Sequence, residues 1–154
     1  MVEAGSLSAF PKIEEADIDA VAEERMAKGG RFMENLTAMV DQAEPNFLYL
    51  LGFRTDPAFY SLGAAYAVAG ALTVWRILQE VNPNLPEAIQ RDVPKDKLSL
   101  ASTKYKDENP VLMEFIDQTE NDWPGGVGRF FRIGALLAYE MKRRAFERTM
   151  KRLN

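Results

Sequence analysis

Two arginines, Arg129 and Arg132, follow a glycine-rich stretch in the sequence DWPGGVGRFFR at residues 122–132. Backbone N–H groups at the start of a helix attract anions, whereas a cation there is unfavourable unless an anion lies nearby. The stretch lacks the GK[ST] ending of a phosphate-binding loop and follows no strand pattern. It therefore predicts either an external anion, such as a phosphate, a carboxylate ligand or nucleic acid, or local ion pairs with Asp117, Glu120 or Asp122.

A second group of cations lies in the C-terminal sequence MKRRAFERTMKRL, residues 141–153. Apolar residues alternate with this group at helical spacing, so the segment is typical of an amphipathic helix that binds nucleic-acid phosphates, a membrane surface or an acidic protein groove. Cations also stabilise the C-terminal end of a helix without any ligand, and pairs such as Glu140 with Arg144 are favourable. The cations are Lys142, Arg143, Arg144, Arg148, Lys151 and Arg152.

The charges are unevenly distributed along the 154 residues. Residues 1–50 carry four basic and ten acidic groups, whereas residues 129–154 carry eight basic and two acidic groups. An overall isoelectric point near 5.0 is low for a dedicated nucleic-acid-binding protein. We therefore expect the basic last segment to face the acidic first third of the same chain or of a second copy, with nucleic acid as the alternative.

The composition excludes several classes of chemistry. The chain has no histidine and no cysteine, which rules out Ser-His-Asp triads, thiolate catalysis and His- or Cys-based metal sites. The acidic residues between positions 14 and 24 show no calcium-loop pattern and indicate a solvated face. We assign no catalytic residue, cofactor or metal; a small enzyme using carboxylates and arginines would need a concave pocket where Arg129 or Arg132 meets a buried carboxylate.

The segment from Pro57 to Trp75 carries no charge. A membrane-spanning helix needs about 20 predominantly apolar residues, and the alanines, glycines and tyrosines make this segment a poor span. A helix is predicted over 56–81, with Asp56 as its N-cap and Pro57 in its first turn. Its small residues Gly63, Ala67 and Gly70 share one face, which permits close approach to Gly134 and Ala138 of the last helix, in the same chain or in a second copy.

The remaining elements are also predicted to be helical, because no segment alternates apolar and polar residues over a β-branched run. Residues 1–12 are predicted to form an irregular arm and residues 13–154 a single domain. The fold class is all-α, a compact bundle of five to six helices around helix 56–81. Besides that helix, we predict helices near 13–28, 31–43, 110–121 and 127–152, with short pieces at 45–53, 86–91 and 98–103.

Two further surfaces are predicted from local patterns. Phe130, Ile133, Leu137 and Met141 form one apolar line on the last helix, which predicts a buried face. Trp123 lies in a Gly/Pro-rich loop, where an exposed tryptophan would mark a contact surface.

These features predict a non-enzymatic structural or adaptor subunit that self-associates or docks in a larger protein assembly. The first alternative is a nucleic-acid- or anion-binding protein that uses Arg129, Arg132 and the C-terminal cations; the second is the carboxylate/arginine enzyme. A membrane partner is disfavoured. The N-terminus has no basic region followed by a long apolar run, so a cytoplasmic location is expected.

Overall fold

The computed structural model describes residues 9–27, 62–92, 104–122, 126 and 128–153. These ranges contain four α-helices and no strand, which confirms the all-α class: α1 (Glu15–Ala27), α2 (Leu62–Val81), α3 (Pro110–Asp122) and α4 (Gly128–Leu153), with a 3-10 turn at Gln90–Asp92. The helices predicted near 31–43, 45–53 and 98–103, and the start of helix 56–81 at Asp56 and Pro57, lie outside the described residues.

Helices α2 and α4 form the most extensive helix–helix contact of the described chain. Their facing sides are built from alanine and glycine together with a few larger apolar residues, such as Val74, Leu78 and Leu136, each at most 1% exposed. Small side chains permit close approach of two helices, and the larger ones fill the space at the margins of the contact. This pair is the centre of the core.

Helix α3 begins at Pro110, as predicted, and the pair Asn109-Pro110 accounts for this start. Asn109 O accepts the first helical hydrogen bond from Met113 N at 3.0 Å, and Pro110 occupies the first helical position, where its missing N–H costs nothing. Leu112, Met113 and Ile116 are buried. Phe115 contacts Phe131 edge-to-face, with ring centroids 6.4 Å apart, and so joins α3 to α4.

The prediction of a short helix at 86–91 is wrong; only the three-residue turn Gln90–Asp92 forms there. In a helix, the carbonyls of residues 86 and 87 would accept hydrogen bonds from the N–H groups of residues 90 and 91. Here both carbonyls accept from side chains of α4. Pro86 O accepts from Lys142 Nζ at 3.3 Å, and Glu87 O accepts from Arg148 at 3.1 Å. The Asp92 carboxylate also accepts from Ile89 N at 2.8 Å, a local bond that competes with helix formation.

The described end of the predicted N-terminal arm, residues 9–14, is extended and packed on the helices. Phe10 contacts the rings of Tyr139 and Phe146 edge-to-face, at centroid distances of 5.3 and 5.6 Å. Ile13 is fully buried. Phe10, Pro11 and Ile13 are therefore buried with the helices, whereas Lys12 between them is exposed.

The apolar line predicted on the last helix is only half buried. Leu137 and Met141 are 8% and 0% exposed, whereas Phe130 and Ile133 are 43% and 44% exposed. In the first turns of α4, residues 128, 131 and 134 face α3 and α2. Ile133 lies on the opposite side of the helix and Phe130 at the margin of the packed face, so the continuous spacing in the sequence overestimates the buried face.

Candidate functional site

Glycines bring the backbones of α2 and α4 into direct contact. A Cβ atom added to Gly134 would lie 1.7 Å from Ala67 O, and one added to Gly70 would lie 2.0 Å from Phe131 O. Ala138 is fully buried. The structure thus brings Ala67, Gly70 and Gly134 together within one chain. Gly63 belongs to α2, but its surroundings, like Trp123, lie outside the described residues.

Arg132, in the first turns of α4, has partners within the chain. Arg132 Nε lies 3.1 Å from Glu120 Oε2 and 3.3 Å from Asp117 Oδ1. These pairs, one of the alternatives left open by the sequence, tie α4 to α3 across the loop. Arg129, by contrast, is exposed near Gly126, whose positive φ of 75° makes the turn.

Three of the six cations of the C-terminal group bind carboxylates of the same chain. Arg143 Nε lies 3.2 Å from Glu108, Arg148 lies 3.3 Å from Asp92, and Arg144 lies 3.7 Å from Glu140. In the described residues the ion pairs of α4 thus reach residues 92–120 and α4 itself, rather than the acidic first third. Lys151 and Arg152 are exposed at the helix end.

The sequence predicts that Lys142, with the five other C-terminal cations, is available to bind an anion. In the structure Lys142 is buried, so the prediction is wrong for this residue. It is 1% exposed; its Nζ donates to Gln79 Oε1 at 2.9 Å and lies 4.1 Å from the centre of the Trp75 ring. Burial lowers the pKa of Lys142 to about 8. The sequence contains a signal for this position, because Lys142 follows Ala138 by four residues and so shares the face that packs on α2.

The buried lysine predicts an unusual pH dependence of stability. Between about pH 8 and pH 10 the unfolded chain holds a proton on Lys142 that the folded chain has released, so the free energy of unfolding should rise with pH, by up to about 3 kcal/mol. Lys142→Met should remove this rise, and urea unfolding at several pH values measures it. Burial raises the pKa values of Tyr105 and Tyr139, so above pH 10 the unfolded chain loses protons that the folded chain keeps. These two groups therefore lower the free energy of unfolding as the pH rises further.

The matched control is Lys106→Met, which removes an exposed lysine. It should leave the rise of the free energy of unfolding between pH 8 and pH 10 as it is in wild type. A Lys142→Met variant that keeps the full rise between pH 8 and pH 10 would show that another group causes it.

Asn109 holds the N-terminal arm, a role that the sequence does not reveal. Its side chain is fully buried. Asn109 Oδ1 accepts from Ile13 N at 2.7 Å, and Nδ2 donates to Pro11 O at 3.2 Å and to the Tyr139 hydroxyl at 2.6 Å. The Tyr139 hydroxyl in turn donates to Glu108, which pairs with Arg143. This network connects the arm, the start of α3 and the middle of α4.

An open cavity of about 320 Å³ lies between α1 and α3. We call it the acidic groove, because the carboxylates of Glu15, Asp19 and Glu114 surround a floor of three apolar side chains. Neither Arg129 nor Arg132 lines it, so it lacks the combination that the enzyme alternative requires. The lining residues are Glu15, Ile18, Asp19, Val111, Glu114, Phe115 and Gln118.

On the outer side of α4 lies a small apolar surface beside a cation. Phe130 and Ile133 are among the large hydrophobic side chains that are more than a third exposed, and Arg129 is exposed next to them. We call these three residues the α4 knob. They lie at steps of three and four along the helix and so share one face.

The described residues offer neither a cluster of metal ligands nor a helix suited to cross a membrane. No group of three or more carboxylates is arranged to hold a metal ion there. None of the described helices combines the length and the apolar composition that crossing a membrane requires.

No protein-family model matches the chain, and no match is found among curated proteins or among solved structures. The inference of function therefore depends on the chemistry of its own residues.

Proposed function

We propose that the chain is a non-enzymatic, cytoplasmic adaptor or structural subunit, a compact bundle of five to six helices that binds another protein chain. The observation that carries the proposal is the α4 knob. Phe130 and Ile133 are 43% and 44% exposed on a helix that packs against α2 and α3 through other residues. Covering such side chains with a partner removes apolar surface from water.

The composition of the α4 knob suits a contact between proteins. Aromatic residues and arginine are enriched at the centres of protein interfaces, where a few such residues supply most of the binding energy. The helical turns that carry the knob are also tied to α3, because Arg132, on the same turns, is bonded to Asp117 and Glu120. A backbone that is fixed before binding loses little conformational entropy when it binds.

The nucleic-acid alternative has less support. Lys142 is buried, and Arg143, Arg144 and Arg148 have carboxylate partners within the chain. Arg129, Lys151 and Arg152 remain as exposed cations of the predicted set. Neutralising many phosphates requires many accessible cations. A gel shift at low salt tests this alternative, and the absence of any shift would remove it.

The double variant Phe130→Ser/Ile133→Ser should lose protein binding while it keeps its fold, because both side chains are exposed. Wild-type protein is expected to form species larger than its 17.4 kDa monomer, either with itself or with a protein retained from a cell extract, and the double variant is not. Light scattering and affinity capture measure the two cases.

The matched control is Ile89→Ser, which removes an apolar side chain of similar exposure, 39%, far from the knob. It should behave as wild type. If the double variant and wild type have the same mass and retain the same proteins, the knob is not the binding surface.

A further inference from the structure

The acidic groove has the chemistry to receive an apolar side chain flanked by a cation. Its floor is formed by Ile18, Val111 and Phe115, and the carboxylates of Glu15, Asp19 and Glu114 lie around it. All three carboxylates belong to exposed residues. A volume of about 320 Å³ is at the small end of ligand pockets, which suits one or two side chains.

The α4 knob of the same protein has the complementary chemistry. Phe130 and Ile133 supply the apolar side chains, and Arg129 supplies the positive charge. Complementary charges steer two surfaces together and fix their orientation. The groove and the knob therefore match in polarity as well as in apolar character.

A single chain does not place its own knob in its own groove. The knob belongs to α4, whereas the described residues that line the groove belong to α1 and α3. The side of α3 that carries Asp117 and Glu120 is bonded to Arg132 of α4, and the groove lies on the side of α3 that faces α1. Helix α3 thus separates the two surfaces.

We propose that the α4 knob of one copy docks in the acidic groove of a second copy. This inference depends on the proposed function, since it names the partner of the knob. Two different surfaces are joined, so the contact is head-to-tail and each copy keeps one unused surface. Repetition of such a contact gives a ring if the rotation closes and a filament if it does not.

Mixing two non-assembling variants tests the inference. The knob variant is Phe130→Ser/Ile133→Ser, and the groove variant is Asp19→Lys/Glu114→Lys. Each alone should be monomeric, with unchanged circular dichroism. Their equimolar mixture contains one intact knob and one intact groove, so light scattering should detect a 1:1 dimer of twice the 17.4 kDa chain mass and nothing larger.

A charge exchange provides a second measurement that does not depend on the apolar side chains. Arg129→Glu should lower the mass of the assembly. Mixing it with Glu114→Arg should restore assemblies larger than a 1:1 dimer, because the unaltered knob and groove form one contact and the exchanged charges form the second. The matched control is Asp107→Lys, an exposed charge reversal outside the groove, which should assemble as wild type. Wild-type association should weaken as salt is added.

Three outcomes would overturn the inference: a wild-type protein that is monomeric at every concentration, a groove variant that assembles normally, or a mixture that stays monomeric. In each case affinity capture from a cell extract tests the proposed function separately. That function is supported if wild type retains a partner protein that the knob variant does not retain. If it loses none, both proposals fail.

Discussion

Gly134→Ala is expected to destabilise the protein strongly, although it adds only one methyl group. The added Cβ atom would lie 1.7 Å from Ala67 O and 2.5 Å from Ala67 C. These are backbone atoms of α2, so no side-chain rotation can relieve the overlap and the two central helices must separate. We expect a loss of about 3–5 kcal/mol in the free energy of unfolding, measured by denaturant and thermal unfolding.

The sign of the effect is diagnostic, because exchanging glycine for alanine inside a helix ordinarily stabilises it by about 1 kcal/mol. Gly70→Ala tests the same contact from α2, where the added atom would lie 2.0 Å from Phe131 O. Lys151→Ala, at an exposed position of the same helix outside both the knob and the contact with α2, is the matched control and should change stability by less than about 0.5 kcal/mol. An unchanged or higher melting temperature in Gly134→Ala would contradict the close contact.

Asn109→Ala should release the N-terminal arm and cost about 3–4 kcal/mol. The substitution leaves Ile13 N and Pro11 O in a buried site without their partner, and each unsatisfied buried polar group costs about 1–3 kcal/mol. Denaturant unfolding measures the loss of stability. Hydrogen exchange should show faster exchange of the Ile13 amide, and the ring of Phe10 should lose its contacts with Tyr139 and Phe146.

Asn82→Ala is the matched control, because Asn82 Oδ1 accepts from Asn84 N at 3.1 Å in an exposed turn. Water can replace that bond, so the cost should be below about 1 kcal/mol. If the Ile13 amide stays protected in Asn109→Ala, the arm is held by its side chains and the carboxamide is dispensable.

Local signals in the sequence predict where the described helices begin and end. The Asn-Pro pair before α3 places its start at Pro110, and the glycines after residue 124 precede the start of α4 at Gly128. These signals work because each depends on the backbone chemistry of one or two neighbouring residues. The helical spacing of small residues likewise indicates which faces of α2 and α4 permit close approach.

Contacts between distant residues were not predictable in the same way. Asn109 carries an N-cap signal, yet its side chain bonds Ile13, which is 96 residues away. Phe130 and Ile133 continue an apolar line but lie outside the contacts of α4 with α2 and α3. In each case the local pattern is compatible with two environments, and only the packing of whole helices distinguishes them.

The docked arm has a consequence for the order in which the chain assembles. The carboxamide of Asn109 offers the arm one donor and one acceptor, so residues 11–13 pair with a side chain much as an edge strand pairs with a peptide backbone. Phe10 leaves the ribosome long before its neighbours Tyr139 and Phe146, which belong to α4. Its aromatic side chain therefore stays uncovered until α4 has been made.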